Sequence, residues 1–239
     1  MTLVNTFEEP FGDIYPHGVW KQLSIGVNEK INDSVVTLAS FKGDERFFAC
    51  SGTFIDWDGR FQDNGCQIIL TSACLVRNPD YPDDEGNKIV DGLRIKVSLP
   101  GTKHTKPKQR KGTLIHYSLH YNVALVSVKT SNAVYLPVVR HARGNLCSNK
   151  LVVAVGRGFK SGDLMASSGK LAPHWSGPFD FKRLLYSTCR IKKAGIGGPL
   201  VDAEGNYIGM NFYDQNVGNP VLFCDDIVDI LDRFKKGYV

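Results

Sequence analysis

The sequence predicts an all-β protein made of two small β-barrels that are followed by a C-terminal α-helix. Short apolar runs alternate with turn residues from residue 34 to residue 213, and strands spaced in this way are typical of barrels and sandwiches. The pattern is interrupted near residues 130–145, which divides it into two halves of similar size. An apolar content of 42% in 239 residues is enough for a sizeable core.

The first half of the pattern predicts a series of short antiparallel strands. Residues 42–45 are a polar turn, so the first two runs are expected to form a hairpin. The predicted strands of this half are 34–39, 47–55, 67–71, 93–99, 112–117 and 123–128.

The second half repeats the alternation of apolar runs and turns. Glu204-Gly205-Asn206 is predicted to be the hairpin turn between its last two strands, because glycine tolerates the left-handed backbone of such turns. The predicted strands are 151–155, 164–169, 184–191, 199–202 and 207–213.

The end of the chain carries the one clear helical pattern. Asp225 or Asp226 is a candidate cap, and residues 235–237 close the helix. Its apolar face consists of Ile227, Val228, Ile230, Leu231 and Phe234. The predicted organisation is therefore an N-terminal arm (1–30), a first β-barrel (31–135), a second β-barrel (136–224) and a C-terminal helix (225–239).

Charge and cysteine usage narrow the possible functions. The net charge of +5 is only a weak indication of an anionic partner. The six cysteines include no Cys-x-x-Cys pair, so neither a metal site nor a cofactor is predicted. The chain begins without the pattern of a secretory leader, and no apolar run approaches about 18 residues. These features predict a cytoplasmic or nuclear protein without a membrane span.

Four motifs that carry chemistry in other proteins follow one another along the chain. The last of them places isoleucine at position 196, directly before a Gly-Gly-Pro-Leu run. The motifs are Cys50-Ser51-Gly52-Thr53-Phe54-Ile55, Leu70-Thr71-Ser72-Ala73-Cys74-Leu75-Val76, Tyr121-Asn122-Val123-Ala124-Leu125-Val126 and Lys193-Ala194-Gly195-Ile196-Gly197-Gly198-Pro199-Leu200.

In this order the four motifs resemble those of the chymotrypsin/trypsin superfamily of serine proteases. Within it they are most similar to the HtrA (Do-like, Deg) branch found in plants, from about residue 34 to the C-terminal helix. The resemblance implies two perpendicular six-stranded Greek-key β-barrels with a cleft between them. Because one fold hosts many functions, the function must be argued from the site itself.

The same resemblance implies that all three catalytic positions are degenerate. Cys74 stands where the family has its histidine base, Asn122 where it has the orienting aspartate, and Ile196 where it has the nucleophilic serine. A serine nucleophile needs a hydroxyl that a neighbouring base can deprotonate, and isoleucine has none. The sequence therefore predicts a protease fold without protease chemistry.

The loop that would stabilise an oxyanion has changed as well. The resemblance implies that the backbone N–H groups of Ala194 and Ile196 are its donors, with Gly195 and Gly197 in the same vestigial loop. Ala194 stands where the family has glycine. If that position requires a positive φ, the Cβ of alanine disfavours the required backbone.

An unconventional cysteine hydrolase is an alternative. Cys74 would be its nucleophile, with His120 or His116 as the base, since Cys-His-Asn is a known catalytic combination. Against it, Cys74 occupies the place of the base, and a buried cysteine often serves only as a small apolar side chain.

Two surfaces are candidates for binding. The strand after the nucleophile loop, with Asn211, Phe212 and Tyr213, is expected to offer backbone to an extended peptide. A predicted loop over residues 103–111 could contact an anionic surface or nucleic acid, although nucleic acid is the less favoured partner because no nucleic-acid-binding motif is present. Its cations are Lys103, Lys106, Lys108, Arg110 and Lys111.

The favoured hypothesis is a catalytically inactive protein that holds a protein or peptide segment as a scaffold, decoy or regulator. A homo-oligomer is a further possibility, because HtrA proteins often form trimers.

Overall fold

The structure is a computed structural model that describes residues 6–57, 65–78, 88–101, 108–131, 133–140, 150–172, 184–213 and 219–237. Two of the five cations of the predicted basic loop, Lys103 and Lys106, lie outside these ranges. The N-terminal part contains the short strand β1 (Asp13–Ile14) and the helix α1 (Ile25–Ser34).

The first barrel is formed by the next strands of the chain. They are β2 (Val35–Lys42), β3 (Glu45–Ile55), β4 (Cys66–Ser72), β5 (Arg94–Leu99), β6 (Lys108–Ser118) and β7 (Val123–Lys129). The ring closes in the order β2-β3-β4-β7-β6-β5, with antiparallel neighbours throughout.

The second barrel is formed by the remaining strands. They are β8 (Leu151–Arg157), β9 (Leu164–Ala172), β10 (Leu184–Ser187), β11 (Pro199–Asp202), β12 (Tyr207–Asn211) and β13 (Asn219–Phe223). The pairing of β8 with β9 closes the ring β8-β9-β10-β13-β12-β11, and β1 adds to β9 from outside. The predicted fold class, two six-stranded barrels with a C-terminal helix, is confirmed.

The N-terminal part differs from the expectation that the C-terminal helix is the only one. Helix α1 begins after Ser24, whose hydroxyl accepts a hydrogen bond from the N–H of Val27 at 3.3 Å. Only Ile31 and Ser34 of this helix are buried. Its apolar stripe is therefore too narrow to be recognised from periodicity, and the domain boundary predicted at residue 31 remains a proposal.

The C-terminal helix α2 (Cys224–Lys235) agrees with the prediction except at its start. Phe223 occupies the N-cap position without a side-chain hydrogen bond. Asp225 and Asp226, the predicted caps, lie in the first turn, where carboxylates interact favourably with the helix dipole. The strand β13 leads straight into the helix and is not among the predicted strands, because the asparagine and proline at its start are more typical of turns.

Helix α2 also bridges to the first barrel. The ring of Phe234 stacks on His116 of β6 with centroids 5.1 Å apart, and Trp57 contacts the same imidazole edge-on at 5.5 Å. Burial lowers the pKa of His116. Neither of the two helices in the described ranges has the length and apolar character that crossing a bilayer requires.

Candidate active site

Cys74 and Asn122 contact each other at one end of the first barrel. Cys74 lies in a short 3-10 turn that follows β4, and Asn122 lies in the turn between β6 and β7. The Asn122 Oδ1 accepts hydrogen bonds from the Cys74 N–H at 3.0 Å and from the Ser72 hydroxyl at 3.0 Å. The Asn122 Nδ2 then faces the Cys74 Sγ at 3.2 Å. The two motifs thus meet in space, although they are far apart in the chain.

The backbone of Asn122 explains why this side chain is so firmly placed. Asn122 has a φ of 55°, a left-handed conformation that asparagine tolerates better than most residues. Its carbonyl accepts a hydrogen bond from the Ala73 N–H at 3.2 Å, and its own N–H donates to the Leu119 carbonyl at 3.3 Å. The turn is therefore held at both ends.

Ile196 serves as a core residue rather than as an exposed group. Its side chain is 7% exposed and belongs to the apolar cluster inside the first barrel, although it comes from the second half of the chain. Its carbonyl accepts a hydrogen bond from the Ser51 N–H of β3 at 2.8 Å. Ile196 thus connects the two barrels.

The loop before Ile196 has closed into a 3-10 turn over Lys193–Gly195. The Ile196 N–H, one of the two predicted oxyanion donors, donates to the Lys193 carbonyl at 3.1 Å. The Ala194 carbonyl accepts a hydrogen bond from the Ser51 hydroxyl at 2.6 Å. Asn122 is the one non-glycine residue of the described ranges with positive φ, so Ala194 has an ordinary backbone.

Gly197 has the left-handed backbone that its place in the motif requires. Its φ is +77°, and a Cβ there would lie 2.4 Å from the Ser51 carbonyl oxygen and 3.0 Å from the Ser72 nitrogen. Only glycine allows this approach. The Gly-Gly-Pro-Leu run thus brings the nucleophile loop against the strand ends that lead to Cys74.

The family model for the trypsin-like peptidase domain matches residues 50–210, which is more than half of the chain. The chain belongs to the trypsin-like peptidase family. A comparison with solved structures finds 375 significant matches, and no curated protein matches significantly.

Two solved structures illustrate the likeness. Deg5 is 18% identical, with a TM-score of 0.65, and the match covers 93% of this chain and 99% of Deg5. The serine endoprotease from Yersinia pestis is 13% identical, with a TM-score of 0.64, and the match covers 92% of this chain and 68% of that chain. At these identities the likeness establishes the HtrA/Deg-type fold alone.

The two histidines proposed as bases for Cys74, His116 and His120, pack against aromatic side chains. The exposed His120 packs edge-on against Tyr121, with centroids 4.6 Å apart. His116 lies between Trp57 and Phe234, as described above. No group of three or more histidine, cysteine or acidic side chains that could hold a metal ion occurs within the described ranges.

The predicted peptide-binding strand is less open than expected. Asn211 is fully buried; its N–H donates to the Gly198 carbonyl at 2.9 Å, and its carbonyl accepts from the Gly197 N–H at 2.9 Å. The Phe212 N–H donates to the Pro220 carbonyl at 2.8 Å. Phe212 and Tyr213 are half-buried against the cores of both barrels. The main-chain groups of Asn211 are already hydrogen-bonded, because β12 pairs with β11 and β13, and peptide binding by this strand stays a prediction.

The basic run also differs from the prediction, because part of it is a strand. Lys108, Arg110 and Lys111 are exposed residues of β6 rather than of a loop. Lys111 stands directly opposite Lys96 of β5. These residues pair with β5 in the antiparallel ladder of the first barrel. The density of charge in this part of the sequence does not indicate a strand.

Ser51 is the residue of this site that the sequence reasoning missed. Its hydroxyl donates to the Ala194 carbonyl and accepts from the Arg157 N–H at 2.8 Å. It lies within the first of the four motifs, and the signal that could have identified it is a small hydroxyl residue between the apolar residues of that motif.

Replacing Ile196 by serine is expected to lower the free energy of unfolding by about 2 kcal/mol, because apolar atoms are removed from the first-barrel cluster. Ile196→Val, which keeps most of these atoms, is the matched control and is expected to cost less than about 1 kcal/mol. Urea unfolding measures both. Equal midpoints for the two variants would show that the side chain contributes little to the core.

Proposed function

We propose that this protein is a catalytically inactive member of the trypsin-like peptidase family that works by binding a protein or an extended peptide segment, as a scaffold, decoy or regulator. One observation carries the proposal: the residue at the position of the nucleophile, Ile196, is a buried core side chain whose N–H is used by the 3-10 turn of its own loop.

Each catalytic role lacks the atom that it needs. Isoleucine has no hydroxyl to attack a carbonyl. Cys74 lacks the second ring nitrogen through which an orienting group holds histidine in position. Asn122 carries no charge to stabilise a protonated base. Its Oδ1 is already engaged by the Cys74 N–H and the Ser72 hydroxyl.

Loss of the catalytic triad alone would still leave some activity if the oxyanion loop were intact. Without the triad, a working oxyanion hole and substrate binding give about 10³–10⁴-fold acceleration over water. Here the Ile196 N–H is occupied at 3.1 Å by the Lys193 carbonyl. This hydrogen bond argues that even the residual acceleration is lost.

The binding part of the proposal rests on two aromatic side chains beside the loop of Ile196. Phe212 and Tyr213 remain half-buried at the end of β12, next to the loop of Ile196. With Asn211 committed to the barrel, a bound segment would contact these two aromatic side chains.

The purified protein is expected to show neither labelling by a fluorophosphonate probe nor cleavage of casein above a heat-denatured sample, because the nucleophile position carries isoleucine, which has no hydroxyl. Trypsin treated in parallel is the positive control. Labelling or cleavage above the denatured sample would contradict the proposal, and cleavage that is abolished by Cys74→Ala would support the cysteine hydrolase instead.

Two specific observations keep the alternatives open. For the cysteine hydrolase, the Asn122 Nδ2 donates to the Cys74 Sγ at 3.2 Å, so the side-chain amide orients the thiol. For an anionic-surface binder, Lys96 and Lys111 stand opposite each other on β5 and β6, and two like charges in this arrangement would attract an anion.

Location and lineage belong to the proposal as well. A reducing compartment, the cytosol or the nucleus, is supported by five cysteines of the described ranges that are free thiols: Cys50, Cys66, Cys74, Cys189 and Cys224. Membership of the plant HtrA branch is proposed from the four sequence motifs. A homo-oligomer is proposed because HtrA proteins often form trimers.

A further inference from the structure

The segment before β1 lies directly on the nucleophile loop. Its 3-10 turn, Thr6–Glu8, is followed by Phe11. The Phe11 ring is buried, and its Cζ would lie 3.2 Å from a Cβ on Gly195. A Cβ on Gly156 would lie 3.1 Å from the Cε1 of the same ring. Phe11 therefore anchors the segment beside the loop.

The two carboxylates of the segment are paired with cations on both barrels. Glu8 forms a salt bridge with Arg46 of β3, where both side chains are about 15% exposed, and its Oε2 accepts a hydrogen bond from the Lys160 N–H at 3.1 Å. Glu9 pairs with Lys192 at 2.8 Å. Lys192 directly precedes the 3-10 turn of the nucleophile loop.

The aromatic residue of the segment is held by cations as well. The Phe7 ring packs on Phe48 with centroids 4.8 Å apart. The Lys193 ammonium lies 5.3 Å from the centre of the Phe7 ring and the Arg46 guanidinium 5.8 Å, distances at which a cation is attracted to an aromatic face. Phe7, Glu8 and Glu9 thus match this surface in both shape and charge.

We infer that the surface formed by Arg46, Phe48, Lys192 and Lys193, called here the arm-docking surface, binds an extended peptide in which an aromatic residue precedes two carboxylates, and that residues 7–9 occupy it as an intramolecular competitor. The partner is a protein that carries such an acidic, aromatic segment. The surface does not include Phe212 or Tyr213, the side chains that the proposed function assigns to peptide binding, so the inference does not rest on that function.

The contacts of residues 7–9 with the arm-docking surface can be replaced by those of a partner peptide. The Glu9–Lys192 pair is exposed, at 48% and 41% of the two side chains, and exposed pairs contribute little to stability. Phe7 is only half-buried, and the largely buried Glu8–Arg46 pair is the contact that a competing peptide replaces with a carboxylate of its own. Phe11, which is buried, keeps the chain attached while residues 7–9 leave.

A labelled peptide with the sequence of residues 5–10, Asn-Thr-Phe-Glu-Glu-Pro, tests the inference by fluorescence anisotropy. The full-length variant Phe7→Ala/Glu8→Gln/Glu9→Gln is expected to bind it about tenfold more tightly than the unaltered protein, because a tethered competitor has an effective concentration of roughly 1 mM. Adding Arg46→Met and Lys192→Met to this variant is expected to abolish binding.

Two controls make the result decisive. A peptide with glutamine in place of both glutamates is expected to bind at least about tenfold more weakly, since charged hydrogen bonds are lost. Glu8→Gln/Glu9→Gln, which retains Phe7, serves if the triple variant unfolds. Less than a twofold gain in either variant, or equal binding of the glutamine peptide, would overturn the inference, whatever the casein assay gives.

Discussion

A triple variant with Cys74→His, Asn122→Asp and Ile196→Ser is expected to remain without measurable casein cleavage, although it would carry all three catalytic side chains. The reason is the loop rather than the triad. The N–H of residue 196 points to the Lys193 carbonyl at 3.1 Å, and the Ser51 hydroxyl holds the Ala194 carbonyl at 2.6 Å. Neither hydrogen bond involves a side chain that the triple variant changes.

Adding Ala194→Gly to the triple variant is expected to raise casein cleavage by about 10²–10³-fold, the usual contribution of an oxyanion donor. Glycine permits the positive φ that would turn the peptide out of the 3-10 turn. The rates of the triple and quadruple variants are compared at equal fractions of folded protein, and Ala194→Gly alone is the control, for which no activity is expected. Ready cleavage by the triple variant would show that the loop opens without glycine.

The sequence predicted best those parts of the molecule that motifs and strand periodicity record. Cys74 and Asn122 were paired by the resemblance, and the structure brings them to 3.0 Å. Runs such as 123–128 agree with the observed strand Val123–Lys129. Both predictions depend on local sequence patterns. In a closed barrel, the order of the strands then decides which of these patterns lie close together.

The remaining features depend on long-range contacts that no local pattern records. Asn211 resembles an exposed strand residue in the sequence but is enclosed by β13 and the nucleophile loop. The sequence predicts the segment around Glu8 only as part of an N-terminal arm. The hydrogen-bond partners of Glu8 lie 38 and 152 residues away in the chain. Such pairings become visible only when the two barrels are assembled.

Replacing Arg157 by methionine is expected to lower the free energy of unfolding by about 3–5 kcal/mol, which is the largest stability effect expected in this molecule. Arg157 is 6% exposed at the end of β8. Its Nε donates to the Val35 carbonyl at 2.9 Å, and its other nitrogens donate to the carbonyls of Gly162 at 2.8 Å and Asn32 at 2.7 Å. One side chain thus joins helix α1, the first barrel and the second barrel.

Burial lowers the pKa of Arg157 to about 10, so the guanidinium stays charged at neutral pH. A buried ion pair can often be replaced by apolar residues without loss, because both partners are then removed. Here the partners are backbone carbonyls, which no substitution at position 157 removes. Methionine would leave them buried without donors, and each orphaned group costs about 1–3 kcal/mol.

Thermal unfolding checks this expectation, with a decrease in Tm of roughly 6–20 °C predicted for Arg157→Met. Arg140→Met is the matched control, since Arg140 is 54% exposed and pairs with Asp229 at 2.7 Å on the surface of α2. The control should unfold close to the unaltered protein, because solvent replaces a lost surface partner. If Arg157→Met behaves like the control, the carbonyls must find other donors, and the two barrels are held together by the apolar contacts of Ile196 and Phe11 instead.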